Sequence, residues 1–172
     1  MGFLVYHERN VFKIFFKELS QTKLISSFSM NKQAQYDRAY LAMAKTWGDL
    51  SYCERKKVGA LIVKDRMIIS DGYNGTPSGF ENVCEDENHY TKWYVLHAEA
   101  NAILKVASST QSCQGATLYI TLSPCKECSK LIHQSGIKRV VYAVPYKDLS
   151  GVKFLQKAGV LVEHFSTQNN SE

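Results

Sequence analysis

The segment from Thr117 to Ala143, TLYITLSPCKECSKLIHQSGIKRVVYA, decides the fold. Thr117 to Thr121 is short, β-branched and aromatic, and reads as a strand. Pro124-Cys125-Lys126-Glu127-Cys128 then opens a helix over 126–134, with Gly136 placed as its C′ glycine. Val140 to Ala143 is a further strand. Working outward, Val58 to Val63 and Met67 to Ser70 form a β-hairpin turning at Lys64-Asp65-Arg66. A glycine-punctuated loop, Gly72 to Gly79, follows, and Ala98 to Ala107 is a helix. Downstream, Leu149 to Lys157 is a helix and Val160 to Val162 the last strand. Two strands followed by alternating helix and strand make an α/β chain, with a mixed sheet and helices on its faces.

The chain has 172 residues, enough for one domain with ornaments, and 45% of them are apolar, as in ordinary globular proteins. Its longest apolar runs, such as Leu61-Ile62-Val63, fall far short of the roughly 20 residues of a bilayer span, so no membrane is expected. Gly2 to Tyr6 lacks the longer apolar region and cleavage site of a secretory signal, so a cytoplasmic location with reduced thiols is expected. The net charge of +5 suits an anionic partner. The tight basic clusters are Arg55-Lys56-Lys57 and Lys138-Arg139, and no aromatic–basic interleaving marks a polynucleotide groove.

Residues 1–30 read as an N-terminal extension. Phe12, Phe15, Phe16 and Leu19 make one apolar stripe of a short helix, and Ser20 to Ser29 a linker; the alternative is a disordered extension ahead of a start at Met30. Asn31 is placed to cap a helix over 32–47, which opens a catalytic domain spanning 31–163. The remainder, 164–172, is a polar tail.

The chemistry lies in His97-Ala98-Glu99 and Pro124-Cys125-Lys126-Glu127-Cys128. Two thiolates at a helix N-terminus face one point, and with an imidazole they suit Zn²⁺. Three protein ligands, His97, Cys125 and Cys128, leave a fourth position for water. Zinc lowers the pKa of such a water from about 15.7 to roughly 7. Glu99, two residues past His97, is placed beside the metal as a proton shuttle rather than a ligand. His-x-Glu followed by Pro-Cys-x-x-Cys resembles the signature of the zinc nucleobase deaminases.

The resemblance narrows further. Val58-Gly59-Ala60, the loop GYNGTPSG at 72–79, HAEANAI at 97–103 and TLSPCKEC at 121–128 are similar to the deoxycytidylate (dCMP) deaminase family over about residues 32–163. The resemblance implies a three-layer α/β/α cytidine-deaminase-like fold around a central mixed five-stranded sheet. It implies zinc-dependent hydrolysis of dCMP to dUMP and ammonia, a homo-oligomer such as a hexamer, and regulation by dCTP as activator and dTTP as inhibitor. Asn74 matches a loop asparagine that contacts the sugar, and Tyr146 a substrate-binding tyrosine. Lys57 and Arg55 are candidate phosphate partners, and Gly72, Tyr73, Asn74 and Gly75 the candidate effector site.

Some members of the family hold a second, structural zinc. Cys53 and Cys84 match two of its ligand positions, and His89 stands two residues beyond the third, which Glu87 occupies; two buried free thiols are the alternative. Cys113 reads as a core residue. Competing substrates are cytidine, guanine or a tRNA base. A zinc-stabilised nucleic-acid-binding protein is the alternative of a different class, but it would have no use for Glu99.

Overall fold

The run of apolar residues after Val58 is buried on both sides, which is why it lacks the polar alternation of a half-exposed strand. In the computed structural model, which describes residues 32–166, this run becomes β1 (Gly59–Lys64). It pairs antiparallel with β2 (Met67–Tyr73) on one side and with β3 (Thr117–Leu122) on the other. β4 (Arg139–Val144) adds parallel to β3, and β5 (Leu161–His164) parallel to β4. The five-stranded sheet is therefore mixed, in the order β2-β1-β3-β4-β5. The helices are α1 (32–48), α2 (Ala98–Ala107), α3 (Lys126–Gln134) and α4 (Ser150–Lys157).

The chain divides into two units at Tyr36 and Asp37. Of the first unit, residues 32–36 are described and are helical. The expected stripe at Phe12 to Leu19 and the Ser20–Ser29 linker lie outside the described residues. The second unit carries the sheet, and its strands place alternate residues in two cores. Ala60, Ile62, Leu118, Ile120 and Val140 point to the face covered by α2, α3 and α4, where they meet Ala98, Ala102, Ile132, Val152 and Leu155. Leu61, Val63, Tyr119 and Val141 point to the other face and meet Leu41 and Ala44 of α1. Helices thus cover both faces of the sheet, the three-layer α/β/α arrangement expected above.

On the α1 face the Asp37 carboxylate accepts hydrogen bonds from the Tyr119 hydroxyl at 2.7 Å and from both terminal nitrogens of Arg139 at 2.8 Å. Arg139 Nε also donates to Glu163 at 2.5 Å. Burial pushes the Tyr119 hydroxyl above its ordinary pKa, with the Asp37 carboxylate adding to the effect.

Most element ends fall within one residue of the sequence reading, and two larger differences matter. β2 continues to Tyr73, so Gly72 and Tyr73 are strand residues rather than loop. β5 extends to His164, and the Phe165 N–H still donates to the Tyr142 carbonyl at 2.9 Å, so residues 164 and 165 belong to the fold rather than to a polar tail.

Candidate metal centre and active site

Both metal-binding motifs end up at helix N-termini. His97 is the N-cap of α2 and Cys125 the N-cap of α3, each with extended backbone and no side-chain capping bond. Their side chains are therefore free to turn toward one another across the end of β3. His97 Nδ1 lies 3.5 Å from Cys125 Sγ and 3.4 Å from Cys128 Sγ. The possible ligand atoms of all three residues fall within 4.8 Å of one another. Ligands of a tetrahedral zinc with bonds of about 2.1 and 2.3 Å stand about 3.6 Å apart, so this spacing and this donor set fit the ion.

The protonation of the trio points the same way. The hydrogen bond from Cys128 holds Cys125 as a thiolate, its pKa pushed down to about 3. The same bond and burial hold the Cys128 proton well above the ordinary thiol range. His97 is raised, chiefly by its hydrogen bond to Cys125. A divalent cation entering this site takes the place of shared protons.

Glu99 is 3% exposed in the first turn of α2. Burial raises its carboxyl pKa, against the pull of hydrogen bonding and of His97. A buried carboxyl beside a metal site, its proton held more tightly than on an ordinary carboxylate, suits a proton carrier.

The helices are brought close by residues without side chains. A Cβ on Gly151, in the first turn of α4, would stand 2.4 Å from the Pro124 carbonyl oxygen, so glycine there lets α4 lean on the ligand-bearing turn. Ser129, fully buried, donates from its hydroxyl to the Cys125 carbonyl at 2.8 Å.

A cleft of about 270 Å³ opens above the trio, its wall including His97, Glu99 and Cys125. Asn74 and Tyr146 both line it. The Tyr146 N–H donates to Ser123 Oγ at 2.8 Å, which fixes the chain where it leaves β4. Asn74 is 9% exposed, and its side chain is already engaged: Oδ1 accepts the Val58 N–H at 2.8 Å and Nδ2 donates to the Lys56 carbonyl at 2.8 Å. It shapes the cleft wall as much as it faces a ligand.

The cations divide differently from expectation. Arg55 and Lys56 line the cleft, whereas the Lys57 ammonium turns to the Asp49 carbonyl at 3.5 Å and is not part of the wall. Lys56 and Glu85 also line the cleft, and neither stands out as a site residue in the sequence. Lys56 is marked only by the basic cluster; nothing local marks Glu85, which is buried by distant segments.

The second zinc set, and with it the expectation of reduced thiols at these two positions, needs correction. Cys53 and Cys84 are joined by a disulfide, so neither sulfur is a thiolate able to bind metal. His89 sits on an exposed turn at positive φ, and it is not in the metal-competent group among the described residues. Gly72 and Gly75 also separate. Gly72 is packed inside the fold against α2, while Gly75 lies in open space, bridged to Leu96 through the backbone.

The fold and the site together define a class, the zinc-binding deaminases. A family model described as the cytidine and deoxycytidylate deaminase zinc-binding region matches residues 32–144, and the chain belongs to this family. The deoxycytidylate deaminase of Mycobacterium phage D29 is 40% identical over 121 residues, 62% of this chain and 93% of that protein. The human deoxycytidylate deaminase is 33% identical over 177 residues, 85% of this chain and 96% of its own. The dCMP deaminase of cyanophage S-TIM5, solved in complex with dCMP and dUMP, matches with a TM-score of 0.73 at 46% identity, covering 74% of this chain and 95% of that one.

Proposed function

We propose that this protein hydrolyses dCMP to dUMP and ammonia. The observation that carries the reading is the assembly of His97, Cys125 and Cys128 beside buried Glu99, at a cleft whose wall also bears Arg55 and Lys56. The similarity to relatives named for dCMP supports the choice of nucleotide. His97, Cys125 and Cys128 would hold the zinc ion, which when bound would supply Lewis-acid chemistry able to lower the pKa of a water to about 7. Glu99 would take a proton from the attacking water and pass it to the pyrimidine ring nitrogen, then carry the second proton, released as the added hydroxyl becomes the product carbonyl, to the departing amine. Arg55 and Lys56 face the 5′-phosphate, whose charge matches theirs. Tyr146 and Asn74 flank the sugar and base.

Turnover of dCMP, CMP, deoxycytidine and single-stranded DNA by zinc-loaded protein tests this reading. Strong preference for dCMP is expected; equal or better turnover of a nucleoside or of DNA would overturn it. The regulatory part of the proposal is that the chain works as a homo-oligomer in the cytoplasm, activated by dCTP and inhibited by dTTP. Gly75 and Asn74 are its candidate effector contacts. Sigmoidal dCMP dependence made hyperbolic by dCTP supports it, and indifference to both triphosphates removes it. Among the described residues no helix is long and apolar enough to cross a membrane.

A further inference from the structure

Residues 51–58 belong to no helix or strand, yet they carry the cations of the cleft. The backbone groups of such a segment have no regular ladder to join, so turns and side chains must satisfy them. At its far end Asn74 does this for Lys56 and Val58, as described. For the Glu54 and Arg55 amides the acceptor is Glu85. Its Oε2 accepts the Glu54 N–H and its Oε1 the Arg55 N–H, each at 3.3 Å. Glu85 is 7% exposed and itself borders the cleft.

The segment that carries Glu85 is braced in turn. Glu85 and Thr91 form an antiparallel bridge, and the Lys92 N–H donates to the Cys84 carbonyl at 2.8 Å. Thr91 Oγ1 accepts a hydrogen bond from Arg55 Nη1 at 3.2 Å. Arg55 is therefore held at both ends by one small hairpin, its backbone N–H by Glu85 and its guanidinium by Thr91. The Cys53–Cys84 disulfide ties the same two segments one residue earlier.

We propose that Glu85 is a positioning residue for recognition of the substrate's phosphate: it acts through the Glu54 and Arg55 amides to set where Arg55 and Lys56 stand over the cleft. This rests on the reading above that these two cations meet a 5′-phosphate. The Glu85 carboxylate is hydrogen-bonded to the Glu54 and Arg55 amides and not to His97, Cys125 or Cys128, so it influences how tightly a phosphorylated substrate is held rather than how fast the ring reacts. A merely structural glutamate would affect phosphorylated and unphosphorylated substrates alike.

The test is steady-state kinetics of zinc-loaded Glu85→Gln with dCMP and with deoxycytidine, which has the same ring and sugar but no phosphate. Glutamine keeps the shape and one acceptor oxygen, but turns a donor toward the second amide. The expected result is a rise in KM for dCMP of about tenfold, the scale of a lost charged hydrogen bond. The expected change in kcat is less than about threefold, on the argument that groups removed from the reacting atoms change binding rather than the chemical step. The value of kcat/KM for deoxycytidine should stay unchanged, and Glu85→Asp should recover part of the loss. Equal losses on both substrates, or no loss on either, would overturn the proposal. Thr91→Val, which frees the guanidinium while leaving Glu85 in place, gives a second reading should the glutamine variant fold poorly. It should show the same dCMP-selective loss, and a loss shared by both substrates counts against the proposal. Arg55→Ala with Lys56→Ala separates this inference from its foundation. If that pair leaves the preference for dCMP intact, the phosphate reading fails and Glu85's role with it. If the pair removes the preference and Glu85→Gln does not, the role of Glu85 alone fails.

Discussion

Gly72 of β2 lies so close to α2 that a Cβ there would stand 2.2 Å from the Ala98 carbonyl oxygen and 2.7 Å from the Ala102 nitrogen. Ala98 sits between His97 of the metal-competent trio and the buried Glu99, so this contact sets the height of that turn over the sheet. Two side-chain bonds hold the same seam: Ser70 Oγ donates to the Ala102 carbonyl at 2.7 Å, and Asn101 Nδ2 to the Tyr73 carbonyl at 2.8 Å.

Gly72→Ala should therefore destabilise the protein by about 1–3 kcal/mol, because backbone rather than a flexible side chain must give way. Zinc content and activity should fall with it, since the displaced turn carries His97. Gly75→Val, where a Cβ meets nothing within 4 Å, should leave the unfolding midpoint and zinc content unchanged. Urea unfolding with metal analysis compares the two; equal stability losses would contradict the packing account.

Glu99→Gln should retain zinc and the fold, and lose at least about 10² to 10⁴ in kcat, the usual contribution of a general acid–base group. The substitution removes the proton carrier and no ligand. Substantial turnover by the zinc-loaded variant would take Glu99 out of the chemistry. Cys128→Ala, by contrast, should lose metal and activity together.

With Cys53 and Cys84 joined, zinc-loaded protein should hold one ion per chain. Elemental analysis together with a thiol count checks this: under denaturing, non-reducing conditions and after metal removal, Cys113, Cys125 and Cys128 should be the cysteines that react. Two ions per chain, falling to one in Cys84→Ser, would restore the second centre expected from the sequence.

The Asp37 side chain is 6% exposed and is paired with Arg139. Asp37→Ala leaves that guanidinium half-satisfied between Tyr119 and Glu163, and breaking a buried pair on one side costs about 3–5 kcal/mol. A drop of that size in unfolding free energy is expected, with kcat for dCMP nearly unchanged in whatever fraction stays folded, because the pair lies on the α1 face, across the sheet from α2 and Glu99. A stability change below about 1 kcal/mol would place the pair among weak surface bridges.

What was legible in the sequence was what short spacings set. Cys125 and Cys128 stand one helical turn apart at a helix start, and His97 and Glu99 open another; their expected roles rest on donor chemistry at these spacings together with the resemblance to the deaminase signature. The helices 98–107 and 126–134 were readable to the residue for the same reason, since apolar periodicity and end signals lie within each segment. The mixed sheet followed from the succession of elements.

Only the tertiary structure decided which distant segments meet. Nothing near Glu85 in the chain shows that its carboxylate reaches the amides of Glu54 and Arg55, some thirty residues away. Nothing near Lys57 shows that its neighbour Lys56, and not Lys57 itself, faces the cleft. The Cys53–Cys84 bond and the close approach of Gly72 to Ala98 belong to the same kind. Each depends on how strands register and how a helix settles on the sheet, and those are settled by burial summed over the whole core rather than by any one stretch of residues.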